Sequence, residues 1–290
     1  MIQLHEGDEL PMVATVQLLL NSLLSGRRPL VVDGDYGPRT RDAVAAFQTQ
    51  SGLVGDGTKV EADTWARLSQ HTRLQVRDIV DVFDPALLGS QYVLEQAGGT
   101  AIVFGGSSNA LGWVVPAVAQ SGVAPGALAL LRFQGHGNRG IQVVGYGTLC
   151  HVLFDAIRRQ PVPPLAQCTP QQVRPTQAEL DAMQRVRSHS ALSSDSLALP
   201  EVVAALAPLR GYFAPSGSVE FHGCRVAEGR QGAQFLRRAA NVFGVPAVAA
   251  QNTQFNYNAV RFGGSVRIVF PRGGNLRTWA RRLSPILSSR

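Results

Sequence analysis

The sequence is poor in cysteine and almost free of lysine. Its three cysteines, Cys150, Cys168 and Cys224, form no C-x-x-C pair and leave an odd number, which argues against both a disulfide framework and a zinc site. Lys59 is the only lysine, so arginine supplies nearly all of the positive charge behind the net charge of +7. No basic run carries interleaved aromatic residues, so nucleic acid is not a predicted partner. A basic surface of this kind instead suits another anionic polymer, such as a cell wall.

Long apolar runs are also absent. The first apolar segment, residues 12–24, is short and is interrupted by Gln17, Asn21 and Ser22, so we expect neither a secretory signal peptide nor a membrane-spanning helix. The localisation therefore stays open between export to a cell wall by a non-classical or contractile secretion route and residence in the cytoplasm. With 45% hydrophobic and 16% charged residues among 290, the chain has enough apolar material for a small domain followed by a medium-sized one.

The first 70 residues predict a small helical domain. Two segments with apolar residues at helical spacing flank D-G-D-Y-G-P at residues 33–38, a segment rich in turn-forming residues. A third short helix is predicted around Trp65. Because each helix can bury only one face, we expect three short helices around one small core. The apolar positions that define these faces are Val13, Val16, Leu20, Leu23, Leu24, Ala43, Val44, Phe47, Trp65 and Leu68.

This segment resembles the peptidoglycan-binding domain found in many bacterial wall enzymes. The resemblance lies in D-G-x-Y-G-P-x-T-x-x-A-V-x-x-F-Q from Asp33 to Gln48, followed by G-L, D-G and T-W-x-x-L ending at Leu68. It covers nearly the whole of residues 1–70, and it implies that peptidoglycan is a binding partner.

Two side chains of the turn are candidates for ligand contact. Asp35 and Tyr36 carry the polar groups that could bind glycan or stem peptide, whereas the turn glycines serve backbone geometry and the aromatic residues serve the core. Stabilisation of the turn is the alternative role for both residues.

The rest of the chain predicts an α/β domain. Residues 71–97 are interpreted as a connector in which apolar residues between positions 76 and 83 form a docking helix. Alternating strand and helix patterns then occupy residues 98–290. An insertion at about residues 157–200, rich in Pro, Gln and Ser, interrupts this rhythm and is expected to lie on the surface.

Two predicted strands end in a reactive side chain beside glycine. One runs into Q-G-H-G, which places His136 and Gly137 at its end, and another runs into F-H-G-C, which places Cys224 there. In an open α/β sheet, reactive groups gather beyond the carboxyl ends of strands. A thiolate nucleophile needs a proton carrier, and histidine changes charge near neutral pH. The pattern therefore predicts a Cys224–His136 dyad.

The body of the chain, over roughly residues 98–270, is similar to the caspase-like (clan CD) cysteine peptidases. In that family a strand ends at H-G, a later strand ends at G-C or A-C, and a helix follows. The resemblance implies an α/β fold with a mainly parallel central sheet flanked by helices. It further implies that Cys224 attacks a peptide carbonyl, that His136 protonates the leaving amine, and that the amides of Gly137 and Cys224 hold the oxyanion. No cofactor or metal is implied.

Two other functions stay open. H-G-C-R at residues 222–225 resembles part of the S/T-H-G-C signature of L,D-transpeptidases, although Phe221 replaces the Ser or Thr. That resemblance implies a peptidoglycan-modifying cysteine enzyme with the same nucleophile, Cys224, but with a histidine other than His136. The second alternative is a catalytically inactive, wall-bound adaptor. A protein or peptide substrate, the side chain preferred at the cleavage site, and self-cleavage of the insertion are not decided by the sequence.

Overall fold

The computed structural model describes residues 3–71, 78–83, 100–103, 110–144, 189–254 and 261–288. Most of the predicted connector, the insertion up to residue 188, Cys150 and Cys168 lie outside the described residues.

The N-terminal module is helical, as predicted. Both of its longer helices, α1 (Pro11–Leu23) and α2 (Pro38–Gln50), carry a proline in the first turn, where the missing N–H removes no helical hydrogen bond. The third helix, α3 (Ala62–Ser69), buries Trp65 and Leu68. A short antiparallel pair, β1 (Leu4–His5) with β2 (Lys59–Val60), ties the beginning of the module to the chain that precedes α3.

The body contains a mainly parallel sheet, which confirms the α/β prediction. Its strands are β3 (Asp78–Phe83), β4 (Thr100–Val103), β5 (Leu128–Gln134), β9 (Phe213–Phe221), β10 (Ala247–Ala250) and β11 (Val266–Val269). Among the described residues these six strands lie in the order β4–β3–β5–β9–β10–β11. The neighbouring pairs from β4 to β10 are parallel, and β11 runs antiparallel to β10.

The helix predicted between residues 76 and 83 is a strand instead. β3 lies inside the sheet between β4 and β5, so this part of the predicted connector belongs to the α/β body. The apolar residues of D-I-V-D-V-F fit the spacing of a helix as well as that of a strand. β-Branched residues favour the strand, and Asp81 is tolerated at a buried position because its neighbour in the sheet is Arg132.

Apolar helices cover one face of the sheet. Helices α4 (Ala110–Gln120), α5 (Pro200–Leu206) and α6 (Gly229–Phe243) share a core with the inward residues of β3, β5, β9 and β10. Stacked and tilted aromatic rings form its centre, namely Phe133, Phe221, Phe235 and Phe243.

The N-terminal module and the last helix, α7 (Leu276–Ser288), cover the opposite face. Ile79 and Leu130, from neighbouring strands, belong to the same buried cluster as the core of the module. Ala14 of α1 packs against Trp279 and Leu283 of α7. The module therefore forms part of the second layer over the sheet.

A small three-stranded sheet lies beyond the end of β5. Its strands are β6 (Gly137–Asn138), β7 (Ile141–Val143) and β8 (Ala191–Ser193), paired antiparallel in the order β6–β7–β8. β6 begins directly after His136, so this sheet supports the backbone beside that histidine.

Candidate functional site

His136 and Cys224 follow neighbouring parallel strands at the same edge of the sheet. Phe133 of β5 and Phe221 of β9 are register partners, and each candidate residue lies three positions beyond its member of that pair. The N–H of His222 continues the ladder by donating to the carbonyl oxygen of Phe133 at 2.9 Å. The structure thus brings together the two strand ends that the sequence marked, with His136 exposed and Cys224 partly buried.

The two loops touch through glycine. An added Cβ on Gly137 would lie 2.7 Å from both the Cα and the carbonyl carbon of Gly223, and one on Gly223 would lie 2.8 Å from the Cα of Gly137. Real Cβ atoms do not approach backbone so closely, so glycine is required on both sides of this contact. The H-G motif at residues 136–137 and the G-C motif at residues 223–224 are therefore in direct backbone contact.

Gln142, which the sequence pattern did not single out, fixes this contact. Its side chain is fully buried, and its Oε1 accepts a hydrogen bond from the N–H of Gly223 at 2.8 Å. Gln142 lies on β7 opposite Gly137 of β6. One buried amide thereby connects the strand beside the histidine loop to the backbone of the cysteine loop.

Ion pairs of Glu228 connect the same two loops. Its carboxylate forms ion pairs with Arg225, just after Cys224, and with Arg139, just after the histidine loop, the latter at 2.9 Å. The hydrogen bonds and charges of Arg225, and then those of Arg139, lower the pKa of Glu228 to about 2. The carboxylate therefore stays ionised at any physiological pH. Arg225 has a positive φ of 58°, so the chain turns sharply immediately after the cysteine.

The thiol of Cys224 is held by the backbone of Gln254. The Sγ–H donates to the carbonyl oxygen of Gln254 at 3.3 Å, and the N–H of Gln254 points back at Sγ at 3.4 Å. The side chain of Gln254 in turn exchanges two hydrogen bonds with the backbone of Gly263, at 2.8 and 3.0 Å. The backbone of Gln254 therefore fixes the position of the sulfur beside the loop that follows β10.

His222 has a different environment from His136. It is buried, its Nε2 lies 2.9 Å from Oε2 of Glu220, and its ring stacks on Phe262 with centroids 4.1 Å apart. Glu220 lies on β9 and His222 directly follows that strand, so the two side chains, two positions apart, point to the same face of the sheet. Register places Glu220 beside Arg132, on the face that the N-terminal module covers.

The module contacts this region directly. Asp8 of the module forms an ion pair with Arg261 at 2.8 Å, and Arg261 precedes the ring that stacks on His222. A polar cavity of about 400 Å³ lies at this junction, lined by Asp8, Glu220, Arg261 and Phe262 among others. The loop that supports Cys224 is thus attached to the N-terminal module as well as to the sheet.

The two predicted ligand contacts in the module differ in exposure. Asp35 is exposed, and its backbone oxygen accepts hydrogen bonds from Gln17 and Thr40. Tyr36 is completely buried, and its hydroxyl donates to the carbonyl oxygen of Gly57 at 2.7 Å. A ring without exposed surface cannot contact a glycan, so the prediction for Tyr36 is corrected to a role in the core.

In the described part of the chain, no three His, Cys, Asp or Glu side chains come together in a way that could hold a metal ion. Among the same residues, no helix is both long and apolar enough to cross a membrane.

The comparison with curated proteins and the comparison with solved structures gave no match to this chain. Residues 9–68, however, match the family model described as "Putative peptidoglycan binding domain", so the chain carries a peptidoglycan-binding domain at its N-terminal end.

Proposed function

We propose that this protein is a cysteine peptidase held at the cell wall by its N-terminal domain, with Cys224 as nucleophile and His136 as proton carrier. The observation that carries the proposal is the backbone contact between Gly137 and Gly223. It holds the ends of two adjacent parallel strands together, one leading to the histidine and the other to the cysteine. A dyad of this kind needs both side chains within reach of one substrate carbonyl.

The reaction proceeds in two halves. His136 takes the proton from Cys224, and Sγ forms a bond to the substrate carbonyl carbon while the carbonyl π electrons move to oxygen. The amides of Gly137 and Cys224 stabilise that oxyanion. Collapse of the intermediate breaks the C–N bond, and His136 delivers its proton to the leaving amine. Water then attacks the thioester while His136 takes a proton from that water. The C–S bond breaks, the carboxylic acid product leaves, and His136 returns the proton to Sγ.

Support for a caspase-like arrangement comes from the sheet as well as from the motifs. The sheet is mainly parallel and flanked by helices, and α6 follows the cysteine loop, in the sequence of elements that the resemblance implies. The L,D-transpeptidase alternative would assign proton transfer to another histidine. His222 is the nearest in sequence, but it is buried, bound to Glu220 and stacked on Phe262. We therefore favour His136.

The test measures the rate at which iodoacetamide alkylates Cys224, followed by peptide mapping, together with cleavage of a mixed peptide library. We expect His136→Ala to slow cleavage by roughly 10²–10⁴-fold, the usual contribution of a general acid–base residue, and Cys224→Ala to abolish it. His71→Ala is the matched control, because His71 is exposed on the N-terminal module.

Three outcomes separate the alternatives. Loss of cleavage on His136→Ala but not on His71→Ala supports the peptidase. A stronger effect of His222→Ala than of His136→Ala contradicts the proposed dyad and favours the transpeptidase. Equal alkylation of Cys224 in all the histidine variants, without cleavage of any peptide, favours the inactive adaptor.

A further inference from the structure

A groove on the N-terminal domain has the chemistry of a binding site for an anionic peptide. It lies between α1 and α2, with a volume of about 300 Å³. Leu24 and Leu30, which are partly exposed, contribute apolar surface to its lining, while Arg27, Arg28 and Arg39 contribute positive charge. The groove therefore combines apolar surface with three cationic side chains.

Hydrogen bonds hold the groove in shape. The side-chain amide of Asn21 donates to the carbonyl oxygen of Leu30 at 3.0 Å and accepts from the N–H of Leu30 at 2.6 Å. This pair of bonds clamps the loop after α1 onto the helix. Across the groove, Nη1 of Arg27 donates to the backbone oxygen of Asp42 on α2 at 3.0 Å. A site preformed in this way loses less entropy when a ligand binds.

The charges in the groove are unbalanced. Within the described parts of the chain, Arg28 and Arg39 have no side-chain hydrogen bond or ion pair, and both are exposed. Asp42, the one carboxylate in the lining, is already paired with Arg41 at 3.0 Å. Two guanidinium groups are therefore free to form bidentate hydrogen bonds with carboxylates, the partners that match their planar geometry.

We propose that this groove binds the peptide stem of peptidoglycan, with Arg28 and Arg39 binding its carboxylates and the leucines contacting its alanine methyl groups. The amino sugars of the glycan strand are uncharged, whereas the stem peptide combines free carboxylates with small apolar side chains. The lining matches the peptide and not the sugar. This inference rests on the peptidoglycan-binding domain and on the wall-binding part of the proposed function, and it does not depend on the chemistry of Cys224.

The experiment measures binding of the full chain, in its Cys224→Ala form so that the ligand is not consumed, to a soluble disaccharide-peptide with free carboxylates. We expect Arg28→Ala/Arg39→Ala to weaken binding by about tenfold or more, since each charge-assisted hydrogen bond contributes on that order. Arg230→Ala/Arg277→Ala is the matched control, because both residues are exposed and the change in net charge is equal. Salt of roughly 0.15 M limits the Debye length to about 8 Å and suppresses unspecific attraction.

Two chemical controls identify the ligand group. The same disaccharide-peptide with its carboxylates amidated, and glycan chains stripped of peptide, are both expected to bind at least about tenfold more weakly than the parent ligand. Arg28→Lys/Arg39→Lys keeps the charge but removes the bidentate geometry, so we expect an intermediate affinity.

Equal loss in the two double alanine variants overturns the proposal, as does undiminished binding of the amidated ligand or of bare glycan. Failure of the unsubstituted groove to bind the disaccharide-peptide at all also overturns it. None of these results affects the cleavage assays on His136 and Cys224, so failure of the groove and failure of the peptidase are distinguishable. Circular dichroism of each variant establishes that it is folded.

Discussion

Gly137→Ala tests whether the loops of His136 and Cys224 are held in rigid contact. The new methyl carbon would lie 2.7 Å from the Cα and the carbonyl carbon of Gly223 and 2.7 Å from Cγ2 of Val226. Carbon atoms prefer about 3.5–4.0 Å, so the overlap is on the order of 1 Å. Gly223 cannot move away freely, because its N–H is bound to Gln142 at 2.8 Å. Overpacking of this kind typically costs ~1–3 kcal/mol of unfolding free energy.

The same change should affect the chemistry more than the stability. Relief of the overlap requires the loop of His136 to separate from the loop of Cys224, and a displacement of about 1 Å can cost on the order of 10²-fold in rate. We therefore expect Gly137→Ala to lower both peptide cleavage and the alkylation rate of Cys224, under conditions in which the variant remains folded.

Gly211→Ala is the control for removing a glycine. An added Cβ on Gly211 meets no atom within 4 Å, and its φ is not positive. Its stability should stay the same or rise by up to about 1 kcal/mol, because alanine narrows the unfolded ensemble. The measurement is the midpoint of urea unfolding for both variants. If Gly137→Ala unfolds at the same urea concentration as Gly211→Ala and keeps wild-type cleavage, the argument from close approach is refuted.

Three further predictions concern the layer between the module and the sheet. Arg132→Met should lower the free energy of unfolding, measured in urea, by about 3–5 kcal/mol, because it leaves the carboxylate of Asp81 buried without its partner. The double variant Asp81→Leu/Arg132→Met should lower it by less, because no unpaired charge remains buried. Asp8→Asn should cost no more than about 1 kcal/mol, since its bond to Arg261 is partly exposed; a double-mutant cycle with Arg261→Gln that shows no coupling would contradict the contact. Burial raises the pKa of Tyr36 above its ordinary 10.0, so the stability due to its neutral phenol is complete below that value and is lost as the pH rises further. Tyr36→Phe should thus flatten the loss of stability above about pH 10, and an unchanged alkaline slope would contradict this assignment.

Local patterns were sufficient to identify the N-terminal domain and to predict which strands end beside His136 and Cys224. The turn at residues 33–38 and the flanking apolar spacing are properties of short segments, so the three helices could be predicted without knowledge of the rest of the chain. The two glycine-flanked strand ends likewise led to His136 and Cys224. The α/β class followed from the alternation of strand and helix patterns, whereas the mainly parallel sheet was implied only by the resemblance to the caspase-like peptidases.

Contacts between distant segments could not be predicted in this way. Gln142 and Glu228 connect the two loops, but the sequence patterns assigned a role to neither residue, because each gains its role only when the two loops meet. Tyr36 was predicted to contact ligand because a tyrosine in a polar turn has the same local pattern whether it faces solvent or the core. The ring is buried in the core, and its hydroxyl is bonded to the carbonyl oxygen of Gly57, 21 positions away.

The position of β3 shows the same limit most clearly. Residues 78–83 fit a helical and a strand period equally well, and an acidic residue among them argues locally for an exposed surface. Asp81 is nevertheless fully buried, because Arg132, 51 positions later, binds both of its carboxylate oxygens at 2.7 Å. A charge can be buried only with a partner, and that partner is brought beside it by the pairing of two strands. Residue types and local periods therefore predicted the three helices of the N-terminal module and the strand ends that lead to His136 and Cys224, whereas the tertiary structure decided which segments pair and placed the N-terminal module on the face of the sheet.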